Sequence, residues 1–194
     1  MVVGIAGKYC SGKSTLTQIL IEHGFTEINL DKVGHLCLRM YTGEVIKAFG
    51  REIADENGDI SREKLGEIVF RDPNKRRQLE SIIHPRMVDY VLQNIHTSRE
   101  RNTVIDGALL FSMGLDSSCS FAFWVRAPIL HRFIRAFRRD RLSFRNIFSR
   151  FWTQRKLRPH GSLKDVDIYY IWNTGPHNKL KRRIEEILLE RGIG

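Results

Sequence analysis

Gly7-Lys8-Tyr9-Cys10-Ser11-Gly12-Lys13-Ser14 fits the pattern G-x-x-x-x-G-K-[ST], which combines several devices for holding phosphate. Gly7 and Gly12 permit the backbone turns that wrap an anion. Consecutive N–H groups and a helix N-terminus then face the charge. Lys13 reaches the β- and γ-phosphates, and the Ser14 hydroxyl is a ligand for Mg²⁺. The flanks agree with this reading. Val2-Val3-Gly4-Ile5-Ala6 reads as a short buried strand, and Ser14 to His23 reads as a helix closed by Gly24.

Two carboxylates belong to the same argument. Ligands of open α/β sheets bind at the C-terminal ends of the strands. Asp31 follows the second predicted strand, Phe25 to Asn29, and Asp106 ends the third, Thr103 to Asp106. Asp31 is open to two readings: acceptor of a hydroxyl proton beside a phosphate, or N-cap of the helix that follows. Asp106, after Val104-Ile105, reads as a Walker-B-like partner of Mg²⁺ or as a strand-end turn residue.

Charge supplies a third element. Between Arg126 and Arg158 lie ten Arg and one Lys against one acid, Asp140. That excess equals the chain's whole net charge of +10. Such a segment meets an anion or forms a solvated face. Arginines that close over transferring phosphate stabilise the charge spread over its equatorial oxygens. Arg135 and Arg139 are spaced to share a helical face, as are Arg150 and Gln154. A nucleic-acid surface is the competing reading of the segment. Phe144, Phe148, Phe151 and Trp152 are interleaved with the arginines and suit the apolar face of a helix better than a stacking platform.

The elements that must position these groups alternate as strand and helix, which predicts an α/β fold with a parallel five-stranded sheet flanked by helices. Phe121 to Val125 and Ile168 to Trp172 read as the fourth and fifth strands. Lys32 to His96 reads as mostly helical, with breaks near Thr42-Gly43, Asn57-Gly58, Asp72-Pro73 and His84-Pro85. That is too much helix for one crossover and predicts an inserted helical subdomain. Two helices, about Pro128 to Arg139 and Phe144 to Leu157, would form a lid, and a last helix runs from about Asn178 to Arg191.

Bulk composition is that of a soluble globular protein, 42% hydrophobic and 28% charged over 194 residues. No apolar run approaches the roughly 20 residues of a membrane span. The N-terminal residues lack the features of a secretory leader, so a cytoplasmic location is expected. Cys10, Cys37 and Cys119 are scattered without metal-like spacing and read as free thiols. Cys10, near a helix N-terminus and Lys13, is placed to ionise more readily than the others. His35 and His84 are isolated, and His84-Pro85-Arg86 reads as a helix start in which Arg86 is available to an anion.

Together these residues resemble the dephospho-CoA kinase family, from Met1 to the final helix. Leu30-Asp31-Lys32-Val33-Gly34-His35 is similar to the family's Asp-Ala-Asp-x-x-x-His stretch. Phe49-Gly50, Asn57 to Leu65, Ile68-Val69-Phe70 and Leu79 to Pro85 follow in family order. Leu109-Leu110-Phe111, Arg135-x-x-x-Arg139-Asp140, Leu142-Ser143, Arg150-x-x-x-Gln154 and Asn173-x-Gly175 continue it. The resemblance implies a P-loop kinase fold of the nucleoside-monophosphate-kinase type. It implies transfer of the ATP γ-phosphate to the ribose 3′-hydroxyl of dephospho-CoA, with Mg²⁺, as the last step of coenzyme A synthesis.

By the same resemblance Lys13, Asp31 and Arg139 are catalytic, with Asp31 as general base. Gly7 to Thr15, Arg135, Arg139, Asn173 and Gly175 hold ATP. Asp31, His35, His84, Arg86 and Arg150 face the acceptor. Residues 32–96 form the CoA-side subdomain and 126–158 the lid. No nucleic-acid or membrane partner is implied, and oligomeric state is not readable. Other small-molecule or nucleotide kinases are the nearest alternatives. The chain departs from the family pattern at Asn29, where the family has its first Asp, and at Ala108 and Ser112 around Leu-Leu-Phe. Lys8-Tyr9-Cys10 stands where Gly-Ile-Gly is usual, and Val166-Asp167 weakly matches the Ala-Asp before the last strand.

Overall fold

The computed structural model describes residues 1–97, 102–140, 151, 154, 157–159 and 166–193, with 139 and 140 described by backbone alone. It separates into two compact units, Met1–Asn29 with Thr97–Gly194, and Leu30–His96.

The first unit is built on five parallel strands: β1 (Val2–Gly7), β2 (Thr26–Asn29), β3 (Thr103–Asp106), β4 (Phe121–Arg126) and β5 (Ile168–Trp172). Their order across the sheet is β2-β3-β1-β4-β5, which puts the strand leading into the phosphate loop at the centre. β1 and β4 are near-continuous apolar runs, as strands covered on both faces must be. The register sets the strand ends level: Asp106 lies opposite both Ile5 and Asn29, and Gly7 lies opposite Val125.

One face of the sheet is covered by helices α1 (Lys13–Glu22) and α7 (His177–Glu190). Leu16, Ile19 and Leu20 of α1 and Leu180, Ile184, Ile187 and Leu188 of α7 close a core with Val3, Ile5, Val104, Phe121 and Phe123. Over the other face, Gly4 has the Leu110 side chain so near that a Cβ would lie 2.6 Å from it. Helix α6 (Ile129–Asp140) follows β4. The second predicted lid helix, from 144 to 157, falls almost wholly outside the described residues.

The second unit contains α2 (Leu30–Met40), α3 (Thr42–Phe49), α4 (Arg62–Arg71) and α5 (Pro73–Thr97). Gly50 takes φ 95° and ends α3 at the expected Phe49-Gly50 step. Ser61 caps α4 by accepting from the Lys64 N–H at 3.4 Å.

The expected break at His84-Pro85 is corrected: α5 continues through Pro85 for 25 residues. Proline removes one backbone hydrogen bond from a helix interior. The buried residues Ile83, Met87 and Val91, four apart, carry one apolar stripe through it, so packing offsets the lost bond. His84 and Arg86 are thus mid-helix residues, not helix starters. Asp31 is not an N-cap either, because the helix already begins at Leu30 and Asp31 occupies its first turn. Among the described residues no helix is long and apolar enough to cross a membrane.

The α7 seal predicts a large stability effect. Ile184→Ala empties a site with no solvent exposure and should destabilise the fold by about 2–5 kcal/mol, read from denaturant unfolding. A change within experimental error would show that α7 does not seal the sheet.

Candidate active site

Between β1 and α1 the chain forms the loop that its sequence predicts. Gly12 takes φ 97° and ψ 29° and enters α1 with no side-chain cap. The first N–H groups of that helix are left without a capping side chain, and its dipole favours an anion there. Ser11 N donates to Lys8 O at 3.0 Å, closing the turn, and Thr15 N donates to Gly12 O at 3.2 Å. A Cβ on Gly12 would lie 1.8 Å from Asn173 Nδ2, and one on Gly7 would lie 2.5 Å from Val125 O. Both glycines are therefore required by space, and Gly12 by its left-handed backbone as well.

Cys10 adopts φ 57°, a left-handed conformation that non-glycine residues enter at a cost of roughly 1 kcal/mol. Packing compensates. Tyr9, Cys10 and Ala136 form a small buried cluster, with Phe133 and Phe151 against it. Tyr9 and Phe151 meet edge to face with centroids 5.7 Å apart.

The loop's carbonyls are held from outside. Arg132 Nε donates to Tyr9 O at 2.8 Å. Arg135 Nη1 and Asn173 Nδ2 donate to Ser11 O at 3.2 and 3.0 Å. Arg135 Nη2 also donates to Asn173 O at 2.9 Å, so α6, the loop and the end of β5 are tied together. Tyr9 N donates to Gln154 Oε1 at 2.5 Å.

The structure therefore brings Gly7 to Thr15, Arg135 and Asn173 into one constellation, with Gly175 two residues beyond Asn173. Lys13 is partly exposed and Ser14 exposed at the helix start. The Arg139 side chain and Arg150 lie outside the described residues. Arg132 and Gln154 also contact the loop; neither is among the predicted site residues, although Gln154 stands in the Arg150-x-x-x-Gln154 stretch of the resemblance. For Arg132 a signal was present: Arg132 and Arg135 are three apart, on one face of α6.

Asp106 is buried at the end of β3. Among the described residues no group of three or more His, Cys, Asp and Glu is arranged to hold a metal. Ser14 and Asp106 are oxygen donors of the kind Mg²⁺ takes, and an ion carried in on phosphate keeps most of its ligands from substrate and water.

Asp31, His35, His84 and Arg86 belong to the second unit. Asp31 and His35 are four apart on the exposed side of α2. His84 is half-buried, and burial lowers its pKa against the opposing pull of Glu80. Arg86 pairs with Glu44 at 3.3 Å and stacks over Tyr41 at 4.8 Å, so it already has an acidic partner.

Comparison with known proteins agrees with this geometry. The family model described as dephospho-CoA kinase matches residues 1–168. The dephospho-CoA kinase of Borreliella burgdorferi is similar at 32% identity over 66% of this chain and 62% of that protein. The one from Staphylococcus aureus is 29% identical over 98% of this chain and 93% of its own. A crystal structure from Thermus thermophilus shares the fold with a TM-score of 0.79 at 24% identity, covering 98% of this chain and 97% of that one. Dephospho-CoA kinase from Campylobacter jejuni shares it at a TM-score of 0.62 and 24% identity, over 97% and 96%.

Asn173 is the testable joint. Asn173→Ala removes a donor to Ser11 O and an acceptor for Arg135. It should lower stability by about 1–3 kcal/mol and raise the KM for ATP more than it lowers kcat, as steady-state kinetics would show. An unchanged KM would make the brace incidental.

Proposed function

Because this chain belongs to the dephospho-CoA kinase family, we propose that it transfers the γ-phosphoryl group of ATP to the ribose 3′-hydroxyl of dephospho-CoA. The products are coenzyme A and ADP. The observation that carries this reading is the uncapped start of α1 behind the left-handed Gly12, held open by donors on the loop's carbonyls.

In this reading the loop amides from Gly7 to Thr15 bind the phosphates, and Lys13 follows the charge as it moves onto the transferring group. A bound Mg²⁺ would supply further neutralisation of that charge, and Ser14 Oγ and the Asp106 carboxylate are what this chain offers to hold it. Asp31 accepts the proton of the 3′-hydroxyl as its oxygen bonds to the γ-phosphorus. The bond to the bridging oxygen breaks, and ADP carries that electron pair away. Phosphoryl transfer needs positioning and charge stabilisation more than covalent help. Arg135 serves by fixing the loop and Asn173 on the adenine side, and Arg139 and Arg150 close over the phosphates from the lid. The Leu30–His96 unit receives the acceptor through Asp31, His35, His84 and Arg86. A cytoplasmic setting accords with a soluble metabolic kinase.

Two measurements test this. ADP release with ATP and Mg²⁺ should be fast with dephospho-CoA and slow with nucleoside monophosphates; the reverse order would transfer the chain to another acceptor. Asp31→Asn should lower kcat by about 10²–10⁴-fold while ATP affinity stays within a factor of two or so. Equal loss of both would give Asp31 a structural role instead.

A further inference from the structure

Lys8-Tyr9-Cys10 gives the phosphate loop two side chains where glycine is usual, with an aromatic ring between them. The Tyr9 peptide is fixed at both ends. Its N–H donates to Gln154 Oε1 at 2.5 Å, and its carbonyl accepts from Arg132 Nε at 2.8 Å. The ring is fixed as well. Tyr9 is only 8% exposed and meets the Phe151 ring edge to face, with centroids 5.7 Å apart.

These restraints share members. The Arg132 guanidinium lies 4.5 Å from the centroid of the same Phe151 ring, and Phe133 packs against that ring at 5.6 Å. Arg132 thus holds the Tyr9 carbonyl and also stacks on the side chain that holds the Tyr9 ring. Cys10, in its left-handed conformation, and the fully buried Ala136 complete the cluster. A backbone conformation of that kind persists only where its surroundings over-determine it. All of these contacts are made between the chain's own atoms, so none of them waits for nucleotide.

We propose that Tyr9 is a positioning residue that presets the phosphate loop for ATP by holding residues 8–12 against α6. This deepens the proposed ATP site and rests on it, but not on the identity of the acceptor. Glycine loses more conformational freedom on ordering than any other residue. Ordering completed before binding takes nothing from affinity, whereas a protein whose loop is ordered in only a fraction of molecules binds more weakly by that fraction. Tyr9 O and Ser11 O flank the left-handed Cys10, and α6 holds both, through Arg132 and Arg135. The Tyr9 ring fixes the first of these two points, and with it the place where Gly12 enters α1.

The probe is ADP with Mg²⁺, read by calorimetry, beside amide hydrogen exchange of residues 7–14 in the protein without nucleotide. Tyr9→Ala should weaken ADP binding about tenfold, the size of effect an aromatic pair carries. It should speed exchange in the loop but not in β1 or α7, and saturating ADP should restore the loop's protection. Tyr9→Phe keeps the ring and should bind ADP as tightly as the unaltered protein. Phe151→Ala should weaken binding as Tyr9→Ala does. The double variant should also lose only about tenfold, because the two changes remove one shared contact.

Unchanged ADP affinity in Tyr9→Ala would overturn the proposal. So would a Tyr9→Phe variant as weak as the alanine one, or losses that add in the double variant. Exchange that rises equally in the loop and in β1 would make Tyr9 a general stabiliser and overturn it too. Absence of ADP binding by the unaltered protein would instead sink the ATP site itself, and the exchange rates would still decide whether Tyr9 orders the loop.

Discussion

A loop that offers its N–H groups to phosphate has to satisfy its carbonyls elsewhere, and much of this structure follows from that constraint. Backbone groups buried without partners are rarely tolerated. Here Tyr9 O and Ser11 O receive Arg132, Arg135 and Asn173. Those donors need α6 to leave β4 at a fixed place and β5 to deliver Asn173 to the same point. The backbone bond from Asn173 N to Arg126 O, 2.7 Å, sets that second requirement. The parallel sheet is the frame that meets both at once.

The same constraint explains how the arginine-rich segment is divided. A run of like charge suggests one purpose, but its described members do different things. Arg132 and Arg135 support backbone carbonyls, Arg126 stacks on two rings, and Arg158 faces a cavity. Cation count alone therefore overstates how many side chains are available to a substrate phosphate. It also explains how Cys10 is tolerated in a left-handed conformation. Its side chain is covered by Ala136 of the helix that supplies the two bracing arginines, with Phe133 and Phe151 against it.

Much of this was legible in the sequence, for identifiable reasons. Phe121 to Val125 reads as a buried strand because both faces are covered and no polar residue interrupts it. The phosphate loop is legible because its glycines and Lys13 answer local demands. Pro85 misled because a proline usually ends a helix, and only the tertiary burial of Ile83, Met87 and Val91 reveals that this one does not. Arg132 and Gln154 were hidden for a related reason. Their partners are backbone atoms of Tyr9, more than 120 residues away in the chain. Spacing places Arg132 on the face of α6 that carries Arg135, but it does not name a backbone partner at that range.

Placing the first strand at the centre of the sheet has a consequence for biogenesis. β1 is made before both of its neighbours, β3 and β4, which begin at Thr103 and Phe121. Long-range parallel pairing is slow because loop closure precedes any reward from contacts. The nascent chain therefore carries an apolar strand with two unpaired edges until Thr103 to Arg126 have been made. The catalytic loop cannot be braced until α6 and Asn173 have followed. Phosphate-binding competence thus waits for Asn173, long after the residues that define the loop have been made.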